Sequence, residues 1–559
     1  MRGIVLLLTL VLACAKEGFP PGGPEDKIPP EVVASEPLSG ETNVDPDVTV
    51  QVWFSEPIQS ASAREAVFIT PYPGDDVKIS WKGRRCAIRF PESLKSNQTT
   101  VVTFGTGIKD FRNNAMTSSF TLAFSTGPFL DEGRITGRID GLDDARGVDV
   151  WAYILADSGD VDPSDVQPDY VVQTAEDGGF AFTYLAPGRY RLFAVRDRMA
   201  DRFYQAGEDE IGVTFRDAQL HAEGFNVVDS LWFRMTREDT LGPSLVRAAS
   251  PHTERIDLDF NEPLLPVSVH PAGIIITETE DSTRSLSVQQ AVLDPLKPQR
   301  IRVLTRPQEP GRMYRVLVRG VEDLAGNPAD SIFASAEFPA AVTADTSGPA
   351  LQLAVPEPGT LSASLDCRIR LVFSEDVDST LFALGFNLSD SSGHPVAGDF
   401  VWSGFADIMF QSKPELESKH AYAVHLTGDN IRDAKGNRSI DSTYTFQTMN
   451  GDTLSEIAGE VIDPDSASTG AVFVSARQTG KSGQTYSVKI DGPGPYRITH
   501  ILPGAYILDC FRDRNGDGLY SFGKPYPFEP AERFSVYADT VKVRSRWPNE
   551  GNNLVLPKR

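Results

Sequence analysis

The amino-acid sequence predicts an all-β chain, a tandem array of small β-sandwiches, on three observations. Apolar and polar residues alternate with a period of two in short runs such as Val48-Thr49-Val50-Gln51-Val52-Trp53-Phe54, the pattern of half-buried strands. Gly, Pro, Asn and Asp turns separate these runs within units of about 100 residues, and helical periodicity is nearly absent. Two distant stretches also repeat each other without gaps: Pro187 and Pro503, Tyr190 and Tyr506, Asp197 and Asp513, and Gly207 and Gly523 are each 316 positions apart. A constant offset marks an ungapped duplicate.

A chain of 559 residues is too long for one hydrophobic core, and typical domain sizes divide it into roughly three to five domains. Its formal charge of −24 and lack of clustered Lys and Arg exclude a phosphate-binding surface, so no nucleic-acid partner is expected.

Residues 1–14 join one basic residue to an apolar run from Ile4 to Leu12 and end Ala13-Cys14. That run is shorter than the roughly 20 residues needed to span a bilayer, and it reads as a signal peptide. Val11-Leu12-Ala13-Cys14 resembles the lipobox of bacterial lipoproteins. The resemblance implies that Cys14 is lipidated, anchors the chain to a membrane and places it in the cell envelope as an outer-membrane lipoprotein. Residues 15–28, with Pro20-Pro21-Gly22-Gly23-Pro24, read as a flexible tether. Lys16-Glu17 resembles the charged signal that sends some Bacteroidetes lipoproteins to the cell surface.

Three units share two landmarks. A strand ends in Phe54-Ser55-Glu56-Pro57, Phe260-Asn261-Glu262-Pro263 and Phe373-Ser374-Glu375-Asp376. A turn follows at Asp110-Phe111-Arg112-Asn113-Asn114, Asp323-Leu324-Ala325-Gly326-Asn327 and Asp433-Ala434-Lys435-Gly436-Asn437, with Phe-to-Asp gaps of 56, 63 and 60 residues. These units resemble the bacterial Ig-like domain also found in S-layer proteins over residues 29–127, 240–340 and 346–449. The second and third depart from the Pro-Pro start with Gly242-Pro243 and Gly348-Pro349.

The duplicated stretch belongs to a second module type. Ile135-Thr136-Gly137-Arg138-Ile139 is echoed by Ile457-Ala458-Gly459-Glu460-Val461 at an offset of 322, so the two copies differ by six residues, the first being the longer, before Phe180 and Tyr496 align. With its Leu-x-Pro-Gly-x-Tyr turn, this module is similar to the prealbumin-like modules of surface proteins and carboxypeptidase regulatory regions. That resemblance implies a spacer or stalk. The expected order is an Ig-like domain at 29–129, a prealbumin-like sandwich at 130–237, Ig-like domains at 238–343 and 344–449, and a prealbumin-like sandwich at 450–559.

Ligand chemistry concentrates at Asp513-Arg514-Asn515-Gly516-Asp517-Gly518-Leu519. Asp513, Asn515 and Asp517 take positions 1, 3 and 5 of a Ca²⁺ loop, with Gly518 at the sharp turn and the Leu519 carbonyl at position 7. Lys524 stands where an EF-hand places its bidentate Glu, so the ion needs another carboxylate, and an Asx-turn hairpin is the competing reading. In the upstream copy Met199 and Arg202 replace Asn515 and Gly518, and no metal is expected there. Cys86, Cys367 and Cys510 alternate with apolar neighbours and are expected on buried strand faces, without a disulfide framework. The seven His residues form no His-Glu-x-x-His or other catalytic pattern, and no enzyme is predicted. Asp-Ser/Thr steps such as Asp229-Ser230-Leu231 and Asp539-Thr540-Val541 resemble the Bacteroidetes O-glycosylation motif. The resulting expectation is a non-catalytic, lipid-anchored envelope protein acting as a surface spacer, adhesion or interaction module on a protein or glycan partner. The alternative is a glycan-binding accessory lipoprotein of a polysaccharide-processing system.

Overall fold

The computed structural model describes residues 26–558 apart from 65, 71–75, 143, 156–158, 222–225, 331, 333, 481 and 482. Cys14, the signal peptide and the tether up to residue 25 lie outside the described residues. Among those described, regular structure is almost wholly strand: the helices are Ser60–Ala63, Ser379–Gly385 and four single 3-10 turns. No described helix is long and apolar enough to cross a membrane.

Three stretches fold as two-sheet sandwiches on one plan. In residues 32–125 the first sheet runs in the order Val32–Glu36, Thr49–Phe54, Arg85–Arg89, Lys78–Lys82, and the second in the order Val67–Thr70, Thr99–Phe104, Phe120–Ser125. Residues 245–339 repeat the first sheet as Leu245–His252, Arg255–Phe260, Lys297–Thr305, Val288–Asp294, and residues 351–447 as Leu351–Val355, Arg368–Phe373, Asp407–Ser412, Gly398–Trp402.

The period-two pattern explains the burial. Val50, Val52 and Phe54 alternate inward, and antiparallel pairing sets Val50 opposite Ile88 and Val52 opposite Cys86, so one face of both strands enters the core. Fully burying a side chain such as Phe54 contributes roughly 2–3 kcal/mol. Cys86 and Cys510 are buried as expected. Cys367 departs from expectation: it precedes the strand Arg368–Phe373 by one residue and is only partly buried, packed against the core, because the chain is still turning at Leu365–Asp366.

The contacts group the chain into two compact units. Among the described residues, the first comprises those up to Leu155 with Pro168–Arg191 and Ala218–Asp229; the second comprises those of 156–167, Leu192–Asp217 and those from Ser230 on. In the first unit, Tyr170–Gln173 pairs with Asp149–Ile154, Gly179–Leu185 with Gly133–Asp140, and the start of strand Gly188–Arg196 with Ala218–Leu220. In the second unit, the end of that strand pairs with Glu210–Val213.

The downstream copy has the equivalent strands. Thr485–Ile490 pairs with Ala471–Gln478, Gly494–Ile501 with Ser455–Ile462, and Gly504–Asp513 with both Phe534–Val536 and Val541–Val543. The Pro-Gly-x-Tyr turn has the same lock in both copies. The fully buried Tyr190 donates its hydroxyl to the Ala186 carbonyl at 2.8 Å, and Tyr506 donates to Leu502 at 2.7 Å.

Candidate functional site: linker clamps, carboxylate triads and a duplicated loop

The two landmarks of the Ig-like units meet in space. Ser55 exchanges backbone and side-chain hydrogen bonds with Glu31, Asn261 with Ser244, and Ser374 with Ala350, so the residue before each Glu ties the strand end to the first strand. In the turn, Asp110 Oδ1 accepts from the Arg112 and Asn114 N–H groups at 2.7 and 2.8 Å, and Asp110 Oδ2 accepts from Asn114 Nδ2 at 2.8 Å. Asp323 and Asp433 repeat this pattern with Ala325 and Asn327, and with Lys435 and Asn437. The turn Asn also grips the incoming linker: Asn114 Nδ2 donates to the Asp26 carbonyl at 3.1 Å and Asn327 Nδ2 to the Asp239 carbonyl at 2.8 Å. Short Asx turns supply the shape, and the spare amide N–H fixes the linker.

This convergence builds three carboxylate triads: Asp26, Glu56 and Asp110; Asp239, Glu262 and Asp323; Asp345, Glu375 and Asp433. In each, one carboxylate oxygen per residue lies within 4.8 Å of the others. Hard oxygens so placed could hold a divalent cation, or share a proton. Burial and then the two neighbouring Asp charges hold Glu56 and Glu262 above the usual carboxylate range. Burial and the charges of Asp345 and Asp433 push Glu375 up to about 7, despite Arg255 nearby. For Asp110, burial raises the pKa, but the hydrogen bonds from Asn114 and Arg112 outweigh it and leave the group below its ordinary value. Sequence reasoning used the Glu and Asp as landmarks of fold and missed them as ligand groups; their recurrence in fixed order was the available signal.

The Asp513 loop closes on its own backbone. Asp513, buried at 1% exposure, accepts from the Gly516 N–H at 2.6 Å and the Gly518 N–H at 3.0 Å. Asp517 accepts from Leu519 N–H at 2.7 Å, and Asn515 accepts from Asp517 N–H at 3.1 Å while donating its Nδ2 to Asp517 Oδ2. Glu532 Oε1 takes the Arg514 N–H at 2.6 Å and its Oε2 takes the Ser521 N–H at 3.1 Å. Asp513, Asn515, Asp517 and the Leu519 carbonyl therefore share one loop. Groups of three His, Cys, Asp or Glu side chains close enough to share an ion, among the described residues, are the three triads.

A bacterial Ig-like domain model matches residues 26–126 and 345–448.

The sandwich at residues 245–339 lies outside those matched residues and has the same order in its first sheet. No curated protein matches the chain. Among solved structures, the N-terminal part of the bacterial S-layer protein SbsC is similar at 12% identity over 37% of this chain and 44% of that one, with a TM-score of 0.17. A longer form of SbsC is similar at 10% identity over 93% of this chain and 67% of that one, with a TM-score of 0.18. L,D-transpeptidase 3 from Mycobacterium tuberculosis, in complex with a faropenem-derived adduct, is similar at 11% identity over 37% and 90%, with a TM-score of 0.16. The chain thus spans less than half of the first of these proteins, and TM-scores this low carry no argument about activity or arrangement.

Within the second unit, the two duplicated modules touch. Arg234 reaches Asp509 at 3.0 Å and lies over the Tyr520 and Phe534 rings at 4.7 and 4.4 Å from their centroids. Trp232 meets Phe534 edge-on, Phe193 meets Phe528, and the Ala531 N–H donates to the Thr214 carbonyl at 3.2 Å. Aromatic edges, a cation over two rings and a backbone bond make a specific contact.

Proposed function

We propose that the chain is a non-catalytic scaffold of the cell envelope, anchored through a lipid on Cys14, which presents interaction surfaces and, within its second unit, braces parts of the duplicated modules against each other. The observation that carries this reading is the contact of Trp232 and Arg234 with Asp509, Tyr520 and Phe534. Residues 238–449 lie in sequence between the two sides of that contact, so the second unit differs from a string of freely jointed modules. The linker grips by Asn114 and Asn327 act the same way, removing hinge freedom where a linker enters a sandwich. The Ig-like match and the all-β repeat fit a non-catalytic surface or structural module. The domain boundaries given above, at 29, 130, 238, 344 and 450, belong to this proposal, as does a protein or glycan partner.

The anchoring part is tested by fractionating cells that express the full chain. Wild type is expected with the membranes and Cys14→Ser in the soluble fraction; membrane association unchanged by the substitution defeats the lipid. Ca²⁺ on Asp513, Asn515, Asp517 and the Leu519 carbonyl is proposed as an added brace of a loop already shaped by its own donors. A chelator is then expected to lower the melting temperature of wild type but not of Asp513→Ala with Asp517→Ala. Identical wild-type melting with and without Ca²⁺ leaves a plain Asx-turn loop.

A further inference from the structure

Between the sandwiches at 245–339 and 351–447, inside the second unit, lies a cavity of about 720 Å³. Its lining carries polar nitrogens that have no hydrogen-bond partner in the protein. Arg302 sits on the strand Lys297–Thr305 with its side chain only 6% exposed. Its Nε and Nη2 donate to Asp294 Oδ2 at 2.9 and 2.7 Å, while its buried Nη1 is left over. Gln290 Nε2 and His252 Nδ1, on the same sandwich, are buried and unpartnered in the same way, and all three residues line the cavity. Buried polar atoms without partners are costly and rare in folded proteins, and two donors and a ring nitrogen around one cavity ask for a common occupant.

The opposite wall supplies the complementary chemistry. Glu375 and Asp376 offer carboxylates, and burial holds Asp376 above its usual range even with Arg302 and Arg255 nearby. Phe405 on this wall, and Val292 and Leu304 on the wall of Arg302, provide apolar surface. Six carboxyl residues line the cavity against Arg255, Arg302 and Lys435, which disfavours an anion such as sulfate or phosphate. A hydroxyl group accepts from an N–H and donates to a carboxylate at once, so a molecule rich in hydroxyls satisfies both walls. Its C–H face can lie against Phe405, and the volume is that of ordinary small-ligand sites.

We infer that this cavity binds a neutral, polyhydroxylated molecule of mono- to disaccharide size, with Arg302 and Gln290 as donors, Glu375 and Asp376 as acceptors, and Phe405 under the ring. This adds a specific ligand site to the scaffold, and its failure leaves the scaffold reading intact. The test is calorimetric titration of the full chain with glucose, N-acetylglucosamine, maltose, cellobiose, lactose and chitobiose, with sodium sulfate as the anionic control. At least one saccharide is expected to bind at millimolar or better affinity and to raise the melting temperature, whereas sulfate does not. Gln290→Ala and Phe405→Ala, which spare the Arg302–Asp294 pair, are each expected to weaken binding about tenfold with melting of the free protein little changed. Absence of binding by all six sugars overturns the inference, as does saccharide binding that both substitutions leave unchanged. Should either variant misfold, Gln290→Glu serves in its place: it keeps size but loses the amide donor, and unaltered binding counts against the site.

Discussion

The loop that starts at Asp197 and the loop that starts at Asp513 differ in the side chains a cation would use and agree in almost everything else. Asp197 accepts from the Ala200 and Arg202 N–H groups at 2.7 and 2.8 Å; Asp513 accepts from Gly516 and Gly518, the same positions displaced by 316. Asp209 takes the Arg198 and Gln205 N–H groups, and Glu532 takes those of Arg514 and Ser521: the donors are again 316 apart, while the accepting acids are 323 apart. Left-handed backbone recurs as well, at Ala200 and Arg202 (φ 55° and 63°) and at Gly516 and Gly518 (φ 82° and 78°). Met199 and Arg202 could not ligate a cation as Asn515 and the Gly518 turn would. The shape is therefore written by two acidic pins in each copy and their backbone donors, and an ion would act on a loop already formed.

Removing a pin should have the largest effect, because it takes the acceptor from at least two backbone N–H groups that shape the loop. Asp197→Ala and Asp513→Ala are each expected to cost about 2–3 kcal/mol in urea denaturation, with or without Ca²⁺. A large loss for Asp513→Ala confined to Ca²⁺-containing buffer, beside a silent Asp197→Ala, would break the equivalence.

The triads extend the comparison from copies of a loop to copies of a cluster. In the folded chain Glu375 holds its proton up to about pH 7, whereas in the unfolded chain it titrates near its ordinary 4.5. The groups around it are Asp345, Asp433 and Arg255, with His252 and Lys435 on the same cavity. The stability due to that bound proton is full below about pH 4.5 and is lost as the pH rises through about 7. Glu375→Gln abolishes this titration. The variant should be more stable than wild type by about 1–2 kcal/mol at pH 8 once solvent screening is allowed for, and equal to it near pH 4. Glu56→Gln and Glu262→Gln should show the same sign with smaller size.

The smallest expected effect is conformational. A Cβ at Gly516 would meet nothing within 4 Å, so Gly516→Ala tests the left-handed φ alone and should cost about 1 kcal/mol. Ala200→Gly should gain a fraction of that in the other copy. Opposite signs of roughly matched size, read from denaturation midpoints, would sharpen the claim that both loops use one backbone path.

The all-β class, the strand ends and both turn types were legible because each depends on local periodicity and turn chemistry. Glu56 and Asp110 could be picked out as landmarks, yet their meeting with Asp26 could not, since the linker lies 88 positions before the Asn114 that grips it. The offset of 316 revealed that Tyr190 and Tyr506 are equivalent; equivalence says nothing of contact, and Arg234 over Tyr520 had no signal in either copy. Strand alternation also assigns Arg302 and Gln290 to an outward face. They are buried because the neighbouring sandwich covers that face, a tertiary event that no periodicity records.

The central claim is that, within the second unit, the segments Leu192–Asp217 and Ser230–Arg237 are fixed against the downstream module. Met199 and Leu519, exposed at 69% and 70%, sit on the two equivalent loops. Spin labels at Met199→Cys and Leu519→Cys, in a Cys367→Ser background with Cys86 and Cys510 buried, report their separation by double electron–electron resonance. One narrow distance distribution, broadened by Arg234→Ala with Trp232→Ala, is the predicted result. A broad distribution in the parent chain, as freely jointed modules would give, would contradict it.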